Sequence, residues 1–408
     1  FRLLKLKKWN NVLKILAKKL HVLYYGITFH LQDTPRLRAA SGMPGFKAPH
    51  SLDGTPLPGR RGNLIPAENS SRGRPHNFGS LLMFDVIDKI MNLDIGNRGI
   101  AHLYEPARAR SGGEALCKSA AEVFMKLQPG DTVFLLTGSL TRAWVSPEIG
   151  ENDGPMGTGA LAGALSRAFK CVPMIFTDEF LQKKTGAIAQ MAGPNVVTYE
   201  QASVAAGNPR YTCVTVMGTC AAEDALARRQ CEEMVERYRP KAVISIERAG
   251  QRADGTYRNM IGQDFSQGRS RLDYMISAAQ TRGIPTIGVG DGGNEIGMGA
   301  LAGEVAAHIH LGDQICPASS TDILLPCGVS NWGCYAVQAA LAILTGNIAL
   351  AHTPELEERM IHASTYIGLV DGTTGTLEAK VDGMPADVHK GIVELMYNTV
   401  ERALKKKK

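Results

Sequence analysis

One short stretch of the chain holds three polar side chains that could perform acid/base chemistry. Asp291, Asn294 and Glu295 lie within five residues, inside the glycine-rich run 288–299. The apolar run before them, residues 285–289, is typical of a buried strand, and open α/β sheets bind ligands at the carboxyl ends of their strands. The alternative is a tight strand-to-helix connection, in which the acids cap a helix that begins near Glu295.

The same run has the spelling GxGxxG of dinucleotide-binding loops, from Gly288 to Gly293. In that fingerprint the pyrophosphate sits at a helix N-terminus, and an acidic residue ends a second strand about 20 positions later. Here Asp291 and Glu295 would face the phosphates, and no acidic residue clearly ends a second strand at that spacing. We therefore expect no nucleotide cofactor, because these acids favour a cation or an ammonium group.

Similar polar clusters follow other predicted strands or lie in the loops beyond them. They comprise Thr137, Gly138 and Ser139; Glu151, Asn152 and Asp153; Glu247 and Arg248 with Arg258, Asn259 and Asp264 further on; and Ser330 and Asn331. In a parallel sheet, all of these clusters would project to one edge. Carboxylates concentrated there suit general acid/base chemistry or a divalent cation with oxygen ligands. The arginines suit bidentate binding of a substrate carboxylate.

Strand-like and helical patterns alternate from Phe78 onward, which indicates βαβ units and a mainly parallel sheet. We predict a three-layer, Rossmann-like α/β fold with its site at the strand C-terminal edge. The predicted strands are residues 132–137, 173–177, 195–199, 212–217, 242–246, 285–289 and 322–326. The predicted helices are residues 82–91, 114–127, 158–169, 179–191, 221–238, 271–282, 295–308, 331–344, 354–366 and 388–404, and residues 375–383 predict a strand or hairpin.

The two ends of the chain differ from this periodic part. Residues 1–32 carry seven Lys or Arg and no Asp or Glu, in an amphipathic pattern. That pattern predicts a mitochondrial targeting segment, with a membrane-surface helix or plain upstream sequence as alternatives. Residues 33–78 are rich in Pro and Gly and predict a linker. Residues 79–404 predict one α/β catalytic domain, and residues 405–408 are a lysine tail.

Composition narrows the class of protein further. A hydrophobic content of 44% and a charged content of 21% are ordinary for a globular protein. The net charge of +6 is concentrated at the ends, so we expect no nucleic-acid partner. No run reaches the length of about 18 apolar residues that a transmembrane helix needs. The eight cysteines form no CxxC pair and are interpreted as buried thiols of a reducing compartment.

Five segments together resemble the C-terminal domain of D-glutamate cyclases, in the same order and over residues 84–404. They are residues 94–100, 151–155, 247–264, 288–299 and 330–333. The sequence departs from the family pattern at Ala249 and Ser139, and neither change removes a reactive group. The resemblance implies conversion of D-glutamate to 5-oxo-D-proline with loss of water, in the mitochondrial matrix, with the cytoplasm as alternative.

Cyclisation of this kind needs a base for the ammonium, a donor to the oxyanion and an acid for the departing hydroxide. Given the resemblance, we expect Asp291 or Glu295 to be the base. The other of the two, or Asp153, is then the acid or a metal ligand. Asn294 would orient the substrate or donate to the oxyanion.

The remaining predicted roles concern binding. The expected substrate-binding residues are Arg248, Arg258, Asn259, Asn331, Gly292 and Gly293. The expected ligands of a divalent Mg or Mn ion are Glu151, Asp153, Asp291 and Glu295. Two alternatives stay open: a metal-dependent hydrolase such as a phosphohydrolase, and a non-catalytic module that binds an amino acid or a metal. The sequence does not indicate an oligomeric state.

Overall fold

The structure is a computed structural model that describes residues 78–138 and 140–405. The predicted targeting segment 1–32, the linker up to residue 77, Ser139 and the last three lysines lie outside the described residues. The first helix of the described residues is α1 (Phe78–Met91).

A parallel sheet of seven strands forms the centre of the fold. The strands are β1 (Thr132–Thr137), β3 (Val172–Phe176), β4 (Asn195–Val196), β5 (Val214–Gly218), β6 (Val243–Ile246), β7 (Thr286–Gly290) and β8 (Ile323–Pro326). They are arranged in the order β4-β5-β3-β1-β6-β7-β8, and every neighbouring pair runs parallel. The predicted parallel α/β sheet is confirmed, and its strand bounds differ from those predicted by up to three residues.

Helices cover both faces of this sheet. They are α2 (Tyr104–Arg110), α3 (Leu116–Phe124), α4 (Pro155–Phe169), α5 (Gln182–Met191), α6 (Tyr199–Gly207), α7 (Asp224–Tyr238), α8 (Asp273–Gln280), α9 (Ala302–His308), α10 (Gly312–Ile315), α11 (Ser330–Thr345), α12 (Pro354–Ile367) and α13 (Ala386–Lys405). In the part of the chain that the structure describes, no helix combines the length and apolarity needed to cross a membrane.

Alternate residues of the central strand β1 pack into two different cores. Val133 and Leu135 of β1 belong to the larger core, whereas Phe134 and Leu136 belong to a second one with α7 and α8. Side chains of a strand alternate between the two faces, so a strand buried on both sides reads as one continuous apolar run. The result is a three-layer architecture.

Helix α11 is buried along nearly its whole length. A helix that is apolar all round belongs in the interior, and α11 packs between α4, α3, α13 and α1. Its first residues, Ser330 and Asn331, therefore meet the carboxyl edge of the sheet from inside the protein.

Two short pairings complete that edge. Strand β2 (Gly150–Glu151) pairs in parallel with β9 (Leu369–Val370). Strands β10 (Lys380–Val381) and β11 (Met384–Pro385) form an antiparallel hairpin. Its turn residues Asp382 and Gly383 both have positive φ, which is the backbone of a type I′ turn. This hairpin lies at the end of the segment predicted as a strand or hairpin.

The helix predicted at residues 295–308 is wrong in its first half. Helix α9 begins at Ala302, after a 3-10 turn at Gly299–Leu301. Before it, Glu295 pairs as an isolated bridge with Ala249, and Gly297 has a φ of 107°. This backbone is incompatible with a helix, so the acids of the glycine-rich run lie in a loop.

Candidate active site

A cluster of carboxylates occupies the carboxyl edge of the sheet. Side-chain oxygens of Asp153, Asp291 and Asp382 lie within 4.8 Å of one another. Oxygens of Glu247, Asp291 and Glu295 form a second group within the same distance, and Asp291 belongs to both. Four connections supply these acids: the loop after β7, the loop before α4, the loop after β6 and the β10–β11 turn. We call these five residues the acidic cluster.

Asp153 is held by the first turn of α11. Its carboxylate accepts hydrogen bonds from the backbone N–H groups of Ser330 (3.1 Å) and Asn331 (2.9 Å). In return, the Oδ1 of Asn331 accepts from the N–H groups of Gly154 (3.0 Å) and Gly157 (2.6 Å). The two helix N-termini are therefore tied to each other. Asn331, predicted to bind substrate, is fully buried and uses its amide oxygen within the protein.

Glu295 closes the loop in which it lies. Its carboxylate accepts from the backbone N–H groups of Asp291 (2.8 Å), Gly292 (2.6 Å) and Gly293 (2.7 Å). Gly293 has a φ of 93°, and a Cβ on Gly292 would lie 2.6 Å from the sulfur of Met260. The backbone conformation thus favours glycine at 293, and the side chain of Met260 occupies the space that a Cβ at 292 would need. Because Glu295 already accepts three hydrogen bonds, Asp291 is the better placed of the two predicted bases.

Arg98 brings positive charge into the cluster. Its Nη1 lies 2.8 Å from Asp291 Oδ2, and its Nη2 lies 2.8 Å from Asp382 Oδ2. Asp94 fixes the backbone around Arg98, because its carboxylate accepts from the N–H groups of Arg98 and Gly99. Among the described residues, neither contacted oxygen of the two aspartates has a hydrogen-bond partner. These contacts are therefore ion pairs without aligned hydrogen bonds.

Burial and mutual repulsion raise the pKa values of the clustered acids. Burial, with repulsion from Asp291, raises the pKa of Asp382 to about 7. Burial also raises the pKa of Asp291, against the opposing effect of Arg98. The pKa values of Asp153 and Glu247 are raised well above their ordinary range by burial and by neighbouring carboxylates. The pKa of Asp382 lets this carboxyl group accept and donate protons near neutral pH.

Glu247 is held in a strained backbone conformation. Its φ of 46° lies in the left-handed region, which is uncommon for residues other than glycine. Its carboxylate accepts a 2.5 Å hydrogen bond from the hydroxyl of Ser330. A Cβ on Gly154 would lie 2.6 Å from the Cβ of Glu247, so only glycine fits opposite it. Strain of this kind is common where a side chain must be aimed at a site.

Arg248 lies apart from the acidic cluster, and its contacts do not support the predicted substrate-binding role. Its guanidinium makes a bidentate pair with Asp178, at 2.6 and 2.8 Å, and also donates to the carbonyls of Gly138 and Ser270. It is fully buried. The sequence placed Arg248 at the correct edge, but its side chain is committed to a structural ion pair.

Arg258 and Asn259 stabilise a turn instead of facing the cluster. Arg258 donates to the carbonyl of Gly262 at 3.0 Å, and Asn259 Oδ1 accepts from the N–H groups of Ile261 and Gln263. Asn294 Nδ2 donates to the carbonyl of Arg258 at 2.8 Å. This bond attaches the turn to the glycine-rich loop. Asp264 is an exposed residue that accepts from Ser266.

Arg269 is the second fully buried arginine at this edge, and sequence reasoning did not single it out. None of its three guanidinium nitrogens has a hydrogen-bond partner among the described residues. Its Cζ lies 4.4 Å from the ring centre of Phe265 and 5.7 Å from that of Tyr257. Burial and repulsion from Arg248 lower the pKa of Arg269 to about 10.

The acidic cluster has the chemistry of a site for a divalent cation. Carboxylate oxygens are the donors that Mg²⁺ and Mn²⁺ prefer, and each of the two groups offers three of them within 4.8 Å of one another. The predicted set of four ligands does not form a single group. Glu151 belongs to neither group, Glu295 belongs to the second, and Asp382 joins Asp153 and Asp291 in the first. An ammonium group would suit the same oxygens.

Sequence reasoning missed Arg98 and Asp382, although signals for both were present. Arg98 lies in the segment 94–100 that contributed to the family resemblance, and Asp382 begins an Asp-Gly pair, which is a strong hairpin signal. Neither residue follows a strand of the central sheet. A search confined to the carboxyl ends of the predicted strands therefore passes over them.

Fold and site together define a parallel α/β protein with a buried acidic site at the carboxyl edge of its sheet. Residues 87–397 match the family described as "D-glutamate cyclase-like, C-terminal", and the chain belongs to this family. A curated relative is the human protein named "D-glutamate cyclase, mitochondrial", with 28% identity over 341 residues, 77% of this chain and 51% of the human protein. The chain thus spans about half the length of that relative.

Proposed function

We propose that the chain is a lyase that cyclises D-glutamate to 5-oxo-D-proline with release of water. The observation that carries this proposal is the group of Asp153, Asp291 and Asp382, two of which pair with Arg98, all inside the part of the chain that matches the family. The name of the human relative supports the same substrate. The substrate is a small molecule.

The proposed reaction makes one bond and breaks another. The α-nitrogen attacks the side-chain carboxyl carbon, a C–N bond forms, and a C–O bond of that carboxyl group breaks. The ammonium loses two protons, and both end on the oxygen that leaves as water. The site therefore has to move protons from nitrogen to oxygen without net exchange with solvent, which suits a buried set of carboxyl groups with raised pKa values.

The geometry suggests how the work is divided. Asp291 and Asp382 form the base that receives the ammonium protons, since the pKa of Asp382 is about 7 and Arg98 keeps their charge balanced. Asp153 supplies the proton to the departing oxygen, because burial and neighbouring carboxylates raise its pKa and so favour its protonated form. Asn294 uses one amide hydrogen on Arg258 and keeps the other for the oxyanion.

A divalent Mg²⁺ or Mn²⁺ ion is compatible with this assignment. Asp153, Asp291 and Asp382 would hold it, and it would supply Lewis-acid stabilisation of the developing oxyanion. In its presence, the same three side chains would still fix the position of the reacting groups.

We further propose a mitochondrial location. It is supported by the acid-free, basic character of residues 1–32 and by the name of the human relative.

The test is an assay of the full chain with D- and L-glutamate, with EDTA or with added Mg²⁺ or Mn²⁺, following oxoproline. The proposal predicts turnover of the D-enantiomer. No turnover of D-glutamate under any metal condition would overturn it. Metal-dependent release of phosphate from generic esters, without cyclisation, would favour a hydrolase instead.

A further inference from the structure

Arg269 carries a charge that the described protein does not neutralise by direct contact. Its side chain is fully buried, and none of its three nitrogens has a hydrogen-bond partner among the described residues. Burial of an unpaired guanidinium is costly, because the hydration it loses is not replaced. A group in this state indicates an anionic partner that comes from outside the chain.

The nearby side chains cannot fill that role. Asp178 attracts Arg269 electrostatically but makes its hydrogen bonds elsewhere: its Oδ1 accepts from Arg248 Nη2 and from the Ser270 N–H, and its Oδ2 accepts from Arg248 Nη1. Phe265 and Tyr257 offer only ring faces, and the hydroxyl of Tyr257 donates to Asp273. Ring faces attract a guanidinium but provide no hydrogen-bond acceptor oxygens.

The loop that carries Arg269 lies at the same sheet edge as the acidic cluster. The next residue, Ser270, is attached to Asp178 after β3 and to Arg248 after β6. Glu151 attracts Arg269 electrostatically, and the same carboxylate raises the pKa values of Asp153 and Glu247. Arg269 thus lies close enough to the acidic cluster to share a charged neighbour with it.

Two unused hydroxyl groups occupy this edge as well. The Oγ1 atoms of Thr137, at the end of β1, and of Thr177, after β3, are buried and have no hydrogen-bond partner among the described residues. Thr137 Oγ1 would lie 3.1 Å from a Cβ on Gly154, which also adjoins Glu247. Thr177 Oγ1 adjoins Gly138. Hydroxyl donors and a guanidinium are the groups that recognise a carboxylate.

We propose that Arg269, with the hydroxyl groups of Thr137 and Thr177, binds the α-carboxylate of the amino-acid substrate. This inference rests on the proposed function for the identity of the substrate. The α-carboxylate is unchanged by the reaction and stays anionic, so the acidic cluster repels it. Arg98 is engaged with two aspartates and Arg248 with Asp178, which leaves Arg269 as the free buried guanidinium among the described residues.

The product retains the same carboxylate, so 5-oxo-D-proline should occupy the same position. The carboxamide of 5-oxo-D-proline has the same ring, but an uncharged amide replaces the carboxylate. The full chain should therefore bind the acid more tightly than the amide, on the order of 100-fold, as expected for a buried charge pair. Titration calorimetry with the two compounds measures this preference directly.

The variants are Arg269→Met, Arg269→Lys and the control Arg271→Met. Arg271 stands two positions away, but it donates to the carbonyls of Ala222 and Gly255. We expect Arg269→Met to abolish the preference for the acid and Arg269→Lys to retain part of it, whereas Arg271→Met should keep the wild-type preference.

Thermal unfolding checks the fold, and Arg269→Met should melt at a higher temperature than wild type without ligand. An undiminished preference in a folded Arg269→Met protein would overturn the inference.

Cyclisation assays separate this inference from the proposed function. Turnover of D-glutamate with an unchanged KM in Arg269→Met would leave the function standing and overturn the role of Arg269. A wild-type chain that binds the acid through Arg269 but does not cyclise D-glutamate would overturn the proposed function and leave the role of Arg269 standing. A wild-type chain that binds the acid no better than the amide would overturn the carboxylate site.

Discussion

The carboxyl edge of the sheet holds two regions of opposite charge balance. The acidic cluster contains five carboxylates, and two of them, Asp291 and Asp382, pair with Arg98. In the second region, Arg248 and Arg269 lie near Asp178, and Asp178 pairs with Arg248. The first region contains more carboxylates than arginines, and the second contains more arginines than carboxylates. Together they match the ammonium and the carboxylate of an amino acid.

The two arginines of the second region show how similar burial can serve different purposes. Both are fully buried, but Arg248 fills its donor sites with a carboxylate and two carbonyls, whereas Arg269 donates to no described residue. A saturated ion pair holds the loops after β1, β3 and β6 together. An unsaturated guanidinium is costly to the free protein, and a bound substrate carboxylate would offset this cost.

The largest expected effect is on catalysis in the acidic cluster. Asp291→Asn should lower kcat for D-glutamate by on the order of 1,000-fold, because general acid/base groups contribute on this scale. Oxoproline formation measures it, and circular dichroism should show an unchanged fold. Asp313→Asn, which changes an exposed aspartate outside the cluster, is the matched control and should retain wild-type activity. A fully active Asp291→Asn protein would remove this residue from the mechanism.

The second prediction separates the two buried arginines by stability. Arg248→Met should lower the free energy of unfolding by about 3–5 kcal/mol, because it leaves Asp178 buried without its cation. Arg269→Met should raise this free energy in the absence of ligand. Urea unfolding of both variants at pH 7 measures the contrast. Equal destabilisation by the two changes would mean that Arg269 is a structural residue like Arg248.

The third prediction concerns pH. The pKa of Asp382 is raised to about 7 from an ordinary value of 3.8, so between these values the folded protein keeps a proton that the unfolded chain releases. The free energy of unfolding therefore falls as pH rises through this window. Asp382→Asn cannot ionise at this position, so relative to wild type it should gain stability from pH 4 to pH 8, by on the order of 2 kcal/mol.

Chemical unfolding in the presence of EDTA across this pH range tests that expectation without interference from bound cations. If the free energy of unfolding varied with pH in the same way in wild type and Asp382→Asn, Asp382 would have the same pKa in the folded protein and in the unfolded chain. That result would contradict the prediction.

The smallest expected effect is that of a divalent cation on stability. At ten times its dissociation constant, Mn²⁺ should stabilise the wild-type protein by about 1.4 kcal/mol, and EDTA should reverse this. Asp153→Asn removes one of the three oxygen donors and should reduce the shift in melting temperature. An equal shift in both proteins would place any bound ion elsewhere.

Much of the fold followed from sequence periodicity, because doubly buried strands leave continuous apolar runs. Strand β1 was predicted with its observed bounds, and the family resemblance agrees with the matched region. Helix α6 was missed, although Thr198 and Gln201 form a capping box at its start. The false helix start at Glu295 arose because its carboxylate turns back to three N–H groups of its own loop.

The site was harder to predict than the fold, because it depends on side-chain direction and on distant segments. The sequence placed Arg248 at the correct edge, but it could not show that the side chain would meet Asp178. Asp382 reaches the cluster through a hairpin turn more than 90 residues beyond Asp291 in the chain. Such convergence is set by tertiary packing, which local sequence patterns do not record.

The most direct test of a site with two oppositely charged regions is the steady-state kinetics of D-glutamate cyclisation in wild type, Asp291→Asn and Arg269→Met. The account predicts that Asp291→Asn mainly lowers kcat, whereas Arg269→Met mainly raises KM, by on the order of 100-fold. Wild-type kinetics in either variant, or the same parameter altered in both, would contradict it.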